Sequence, residues 1–225
     1  MHLSNNLLIE ELLHLTENSI QSVKKFKGLP VNQLNFKKSS HEWSILECIE
    51  HLNLYSDFYL PEIEKQILAN KNNNHAAIFK SGIIGNCFAG LMKVKNGEVK
   101  KMKTPKDKNP LNTELTPTTI DRFLKQQELL KLLLHLAKTI DLGKVKTAIS
   151  LTNIVKLKLG DTFRFYVYHI ERHIFQAERA MTLASQKYEC RNKISINTGI
   201  TICSYSFHFV CTNKAKKIYS PGFIH

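Results

Sequence analysis

The chain has 225 residues, of which 43% are hydrophobic, and a formal net charge of +13. This length and composition favour one globular domain with a sizeable core, and no run of about 18 apolar residues predicts a membrane span. The first residues include acids where a secretory signal needs a basic start, so we expect a cytoplasmic protein. Five cysteines without CxxC spacing indicate free thiols and disfavour a cysteine-based zinc site.

The positive charge is concentrated in two segments. Residues 93–108 carry a net charge of +5, and residues 187–225 carry another +5. A basic excess is typical of proteins that bind phosphate or nucleic acid. Since these segments resemble a loop and a tail, solvated, solubilising charge is the simpler interpretation, and we do not expect nucleic acid as a partner. The alternative that stays open is a non-enzymatic helical interaction module that contacts nucleic acid through this loop and tail.

The first two predicted helices are defined by apolar spacing and by their boundaries. Residues 3–26 show helical spacing of apolar side chains, followed by a Gly and a Pro that end the helix. Ser44 and Glu47 match a capping box, which opens a second helix that we extend to about Ala69. The predicted buried stripes comprise Leu7, Leu8, Leu12, Leu15 and Ile20 in the first helix, and Ile45, Cys48, Ile49, Leu52, Tyr55, Tyr59 and Ile63 in the second.

A long loop separates these helices from two more. Residues 71–117 form the loop, and its stretch FKSGIIGNCFAGLM is compatible with a short helix or a lid. A third helix is predicted for residues 118–140 and a fourth for about 157–186, with Phe163, Tyr166 and Ile170 in its apolar stripe. Four long amphipathic helices predict an all-α, four-helix bundle that spans residues 1–186.

The basic C-terminal extension, residues 187–225, has a different pattern. Its stretch ISINTGITICSYSFHFV alternates apolar and polar residues around an Asn-Thr-Gly turn. The extension is therefore compatible with an appended β-hairpin or with sequence that has no packed role.

Three histidines are candidate metal ligands. His169 and His173 lie one helical turn apart at the edge of the fourth helix's apolar stripe, and His51 lies at the edge of the second helix's stripe. Three imidazoles could form a facial site that leaves coordination positions open. On spacing alone, a histidine at the edge of the core more often forms hydrogen bonds than binds a metal ion, and both interpretations stay open. Gln176 lies near the same edge and could orient an imidazole.

Two segments resemble a known family. SSHEWSILECIEHLNLYSDFYLPEI and, far downstream, LGDTFRFYVYHIERHIFQAERAM are similar to the DinB-like family of bacterial four-helix bundles, also called the DinB/YfiT-like metalloenzymes. The resemblance covers about residues 3–185. The matching residues are Trp43, Ser44, His51, His169, His173, Gln176 and Arg179.

The resemblance implies a divalent metal ion, zinc, nickel or similar, held by His51, His169 and His173. Some members of the family transfer low-molecular-weight thiols such as bacillithiol. We therefore expect a metal-dependent enzyme, either a small-thiol transferase or a hydrolase, that acts on a small molecule. Related bundles often pair through their helices, which makes a homodimer compatible with the resemblance. The sequence nominates no catalytic nucleophile.

Overall fold

The computed structural model describes residues 2–70, 77–95, 97, 99 and 102–198, which form a mostly helical fold with two small antiparallel sheets. The helices are α1 (Asn5–Phe26), α2 (Val31–Leu34), α3 (Ile45–Ala69), α4 (Ile83–Met92), α5 (Thr118–Ala137) and α6 (Leu159–Thr198), and a 3₁₀ helix spans Lys106–Lys108. The strands are β1 (His2–Ser4), β2 (Ile78–Lys80), β3 (Lys146–Ile149) and β4 (Thr152–Lys158). Strand β1 pairs with β2, and β3 pairs with β4.

The beginning of α3 follows directly from the sequence. The Ser44 hydroxyl accepts a hydrogen bond from the Glu47 amide at 3.1 Å, and the Glu47 carboxylate accepts one from the Ser44 amide at 2.8 Å. This reciprocal pair is the predicted capping box, and it satisfies two amides that a helix start leaves without partners. The helix runs through Pro61 to Ala69, and all seven residues of its predicted stripe are buried.

The beginning of α1 differs from the prediction. Leu3 lies in β1, opposite Phe79 of β2, and the helix begins two residues later. Leu7, which we placed in the buried stripe, is 62% exposed, whereas Ile9 is fully buried. The other buried residues of α1 recur at helical spacing, and Leu7 lies off the face that they form. The pairing of Leu3 with Phe79 is a contact with a distant strand, which local helical spacing does not indicate.

The segment between α5 and α6 forms the hairpin of β3 and β4. No local pattern in the sequence predicted this hairpin. A turn precedes it, in which the Asp141 carboxylate accepts hydrogen bonds from the amides of Gly143 and Lys144, both at 2.9 Å. The α5 helix ends at Ala137, three residues before the predicted end. The α6 helix begins at Leu159, two residues after the predicted start.

The long predicted loop contains a strand and a helix that are attached to α6. The stretch FKSGIIGNCFAGLM holds the end of β2 and all of α4. The Asp161 carboxylate, buried in the first turn of α6, accepts hydrogen bonds from the Gly82 amide at 2.8 Å, from Ser81 and from Arg164 at 3.1 Å. A Cβ atom on Gly85 would lie 2.4 Å from the Asp161 Cγ, so the close approach of α4 to α6 requires a glycine there.

The four longest helices share one core. Helices α1, α3, α5 and α6 all contribute buried side chains to a single hydrophobic cluster, and α5 packs against both α1 and α3. In the part of the chain that the structure describes, no helix combines the length and the apolar composition needed to cross a bilayer.

The chain divides into two compact units, Met1–Tyr188 and Glu189–His225. Helix α6 continues to Thr198, so residues 194–198 are helical where the alternating pattern suggested the start of a hairpin. The sequence has no Gly or Pro between Gly160 and Gly199, and a helix without such a stop signal can continue. The rest of the suggested hairpin lies outside the described residues. The division into a bundle of residues 1–186 and an extension of residues 187–225 stays a prediction.

Candidate metal centre

The three predicted histidines come together in the structure. His51 on α3 is 2% exposed, and His169 and His173 on α6 are 4% and 9% exposed. The ring centroid of His51 lies 5.1 Å from that of His169 and 4.5 Å from that of His173, and the two rings on α6 are 4.6 Å apart. One ring nitrogen from each histidine lies within 4.8 Å of the other two, so the cluster could hold a metal ion.

The distance between His51 and His169 suits a shared ion. Their Nε2 atoms are 3.2 Å apart. With metal–nitrogen bonds of about 2.1 Å, this separation corresponds to a nitrogen–metal–nitrogen angle of about 99°, between the octahedral and tetrahedral values. The same distance also fits an N–H···N hydrogen bond between the two rings. This is the alternative in which the histidines form hydrogen bonds at the edge of the core and bind no metal ion.

Two of the rings are oriented by hydrogen bonds to their other nitrogen. His51 Nδ1 donates to the Lys108 carbonyl at 2.6 Å, and His173 Nδ1 donates to the Gln176 side-chain oxygen at 3.1 Å. A neutral imidazole that carries its proton on Nδ1 has its lone pair on Nε2. Both rings therefore have Nε2 available to a metal ion, and Gln176 occupies the orienting position that the sequence suggested.

His169 is held by packing. Its ring lies 4.4 Å from that of Tyr55 and is stacked on Phe165 at 5.9 Å, as measured between centroids. Its Nδ1 atom is buried and has no hydrogen-bond partner among the described residues. The neighbouring aromatic rings therefore fix this imidazole where the other two have polar contacts.

Burial keeps all three imidazoles in the form that binds metal. Loss of hydration lowers the pKa of His51 to about 4. The pKa values of His169 and His173 lie well below the usual value, because of burial first and the neighbouring imidazoles second. The rings are therefore neutral near pH 7, as metal ligands must be.

A cavity of about 850 Å³ adjoins the three imidazoles. Trp43 forms part of its wall, with a ring centroid 4.6 Å from that of His51 and 5.6 Å from that of His173, and its Nε1 atom donates to Asn109 at 3.2 Å. Tyr55 also lines the cavity. A cavity of this size can accommodate a small molecule beside the imidazoles.

Other candidate residues have structural roles or positions outside the site. The Tyr166 hydroxyl is paired with Ser56 at 2.6 Å in the core. His135 is exposed on α5 and does not join the cluster. Lys93, part of the basic loop, packs over the Tyr168 ring, and Lys100 and Lys101 lie outside the described residues.

Two features of the site were missed at the sequence level. The Lys108 carbonyl is a backbone acceptor, and no residue type predicts such a role. Arg172, which precedes His173 on α6, lines the cavity and is only 6% exposed. A buried arginine is rare, but its burial is not evident from a stripe defined by apolar residues alone.

The fold and the site together define a mostly helical protein with a three-histidine cluster that could bind a metal ion. The family model of the DinB superfamily matches residues 13–177, a segment that contains all three histidines. The chain therefore belongs to the DinB superfamily, which confirms the resemblance seen in the sequence. A search of curated proteins and a search of solved structures each returned no match.

Proposed function

We propose that the protein is a metal-dependent enzyme in which one divalent ion, zinc, nickel or similar, binds His51, His169 and His173. The enzyme acts on a small molecule, by transfer of a low-molecular-weight thiol or by hydrolysis. The observation that supports this proposal most strongly is the convergence of three buried, neutral imidazoles from two distant segments beside a cavity.

The arrangement of the ligands is that of a reactive site. Three protein ligands leave positions open on the ion, whereas structural zinc sites use four. A divalent ion with open positions supplies a Lewis acid that lowers the pKa of a water or a thiol bound to it. The chain's own contribution is to orient the rings, through the Lys108 carbonyl and Gln176, and to provide the cavity in which Trp43 and Tyr55 surround the substrate.

We propose further that α1, α3, α5 and α6 form a four-helix bundle that carries this site. Their shared hydrophobic cluster supports the proposal, as does the packing of α5 against both α1 and α3. In such bundles, metal ligands project inward from facing helices. A homodimer remains an expectation from the family, which light scattering of the purified protein would test.

Metal analysis of protein purified without a histidine tag tests the proposal. We expect about one zinc or nickel ion per wild-type chain after incubation with excess metal and removal of unbound ions. The variants His51→Ala and His169→Ala should lose it, because two remaining imidazoles bind far more weakly than three. His135→Ala, at an exposed position on α5, is the matched control and should keep its metal.

The same measurement distinguishes metal binding from the hydrogen-bonded alternative. A folded wild-type protein that takes up neither ion would contradict the metal site and would leave the contact between His51 and His169 as a hydrogen bond in the core.

A further inference from the structure

The cavity beside the histidines has a strongly positive lining. Among the described residues, five cationic side chains line it, those of Lys38, Lys103, Lys106, Arg172 and Arg179, against one carboxylate, that of Glu42. The cavity therefore has an excess of positive charge that the metal site alone does not explain.

Four of these five cationic side chains have no acidic partner among the residues that the structure describes. Among the described residues, Lys38, Lys103, Lys106 and Arg179 form no ion pair. Elsewhere the chain pairs its lysines with acids, as in the contact between Lys138 and Glu10 at 2.6 Å. Unpaired cations around a concave site concentrate the field there and attract anions.

The cations lie at two depths. Arg172 is buried on α6 directly before His173, whereas Lys103 and Lys106 are exposed in the loop that also carries the Lys108 carbonyl. A guanidinium presents paired donors that match a carboxylate or a phosphate. Lysines at the mouth suit a second anionic group on the same ligand, because their charges reach it without fixed geometry.

We infer that the cavity binds a small organic anion with two or more negative charges, carried by carboxylate or phosphate groups. The cationic side chains hold its charged groups while its reactive group lies next to the three imidazoles. The reaction of this ligand rests on the proposed metal-dependent function, but its binding by the cationic side chains does not.

Calorimetric titration tests the inference with two anionic probes and their uncharged counterparts. Succinate and glycerol 3-phosphate are compared with succinamide and glycerol, at low ionic strength, on metal-free and metal-loaded wild-type protein. We expect the anions to bind both forms and the neutral compounds to bind neither. Affinity should fall as salt is added, because the attraction is electrostatic. The better of the two anions identifies which charged group the site prefers.

Two sets of variants separate local charge from net charge. Lys103→Gln combined with Lys106→Gln should weaken anion binding at least about tenfold, because it removes two charged partners of the ligand. Lys24→Gln combined with Lys25→Gln removes the same net charge from an exposed part of α1 and should change the affinity less than about twofold. Arg172→Gln should weaken binding as well, with circular dichroism used to verify its fold.

The outcomes distinguish this inference from the proposed function. Equal loss of affinity in both double variants would overturn the inference, as would equal binding of the neutral compounds. Anion binding that requires the metal and ignores the lysines would also overturn it, as would displacement of succinate by single-stranded DNA at low salt. A wild type that takes up no metal but binds succinate through these lysines would refute the proposed function and support the inference.

Discussion

Glu47 is the residue whose removal should have the widest effect on the fold around the site. Its side chain is buried, and its two oxygens accept hydrogen bonds from the Ser44 amide at 2.8 Å, the Asn112 amide at 2.6 Å and the Lys37 ammonium at 3.1 Å. Glu47→Ala removes the side-chain half of the capping box, whereas the Ser44 hydroxyl can still accept a hydrogen bond from the backbone amide of residue 47. Since removal of one partner from a buried charged network costs about 3–5 kcal/mol, we expect Glu47→Ala to lower the free energy of unfolding by about that amount.

Glu47→Ala should also weaken the binding of a metal ion by the histidines. Glu47 holds the Asn112 amide, and four residues earlier in this loop the Lys108 carbonyl accepts the hydrogen bond from His51 Nδ1. Loosening the loop therefore frees the His51 ring. Loss of such an orienting contact typically weakens metal binding about 10–100-fold. Urea unfolding of the metal-free protein measures the first effect, and titration against a competing chelator measures the second.

The matched control is Glu64→Ala, at an exposed position of the same helix. It should change the free energy of unfolding by no more than about 0.5 kcal/mol. A loss below about 1 kcal/mol for Glu47→Ala would refute the reasoning about stability. Unchanged metal affinity in that variant would refute the connection between the loop and His51.

Three further predictions concern the helix α4, pH and fluorescence. Gly85→Ala should destabilise the protein by more than about 1 kcal/mol, because the new Cβ would lie 2.4 Å from the Asp161 Cγ. A Cβ at Gly90 on the same helix meets nothing within 4 Å, so Gly90→Ala should stabilise the protein by about 0.5–1 kcal/mol. Urea unfolding measures both changes. Because burial lowers the pKa of His51 to about 4, the unfolded chain binds a proton below about pH 6.5 that the metal-free folded chain does not. The free energy of unfolding of the metal-free protein should therefore decrease as the pH is lowered, by about 2 kcal/mol at pH 5 from His51 alone. His51→Gln should make this dependence on pH shallower, and an unchanged slope would contradict the lowered pKa of His51. Trp43 is the only tryptophan and its ring lies 4.6 Å from that of His51, so Ni²⁺ should quench the fluorescence of the wild type and leave that of His51→Ala unchanged.

Local sequence patterns located the four long helices but not the end of α6, which extends past the predicted end to Thr198, and they did not locate the strands. The beginning and end of α3 were predicted because the capping box and the apolar stripe are local signals, and both are present in the structure. Strand β1 has three residues and pairs with β2 more than 70 residues later, so Leu3 fits a helical pattern until its partner Phe79 is known. Short strands depend on such distant pairings, and their own sequence specifies them weakly.

Part of the candidate site follows from local sequence spacing, and the rest depends on contacts between segments that are distant in the chain. The spacing of His169 and His173 requires that they share one face of a helix, but only the tertiary structure places His51 at the same level. In the sequence, His51 was a candidate ligand from its position on the second helix, and the family resemblance implied that it joins the other two histidines. Neither source indicated Arg172 or the Lys108 carbonyl, since the first is defined by burial and the second by the path of a loop.

The two proposals together predict that metal and anion bind cooperatively. Three neutral imidazoles bring no negative charge to a divalent ion, and the cations that line the cavity, such as Arg172 and Lys103, oppose its binding. An anion in the cavity offsets this repulsion, so succinate should tighten zinc binding, and zinc should tighten succinate binding by the same factor. Chelator competition with and without succinate measures the first factor, and calorimetry on metal-free and metal-loaded protein measures the second. Lys103→Gln combined with Lys106→Gln should raise the affinity for zinc in the absence of anions and reduce the coupling. Weaker zinc binding in that double variant would contradict the argument, because removal of positive charge near the ion can only favour it electrostatically.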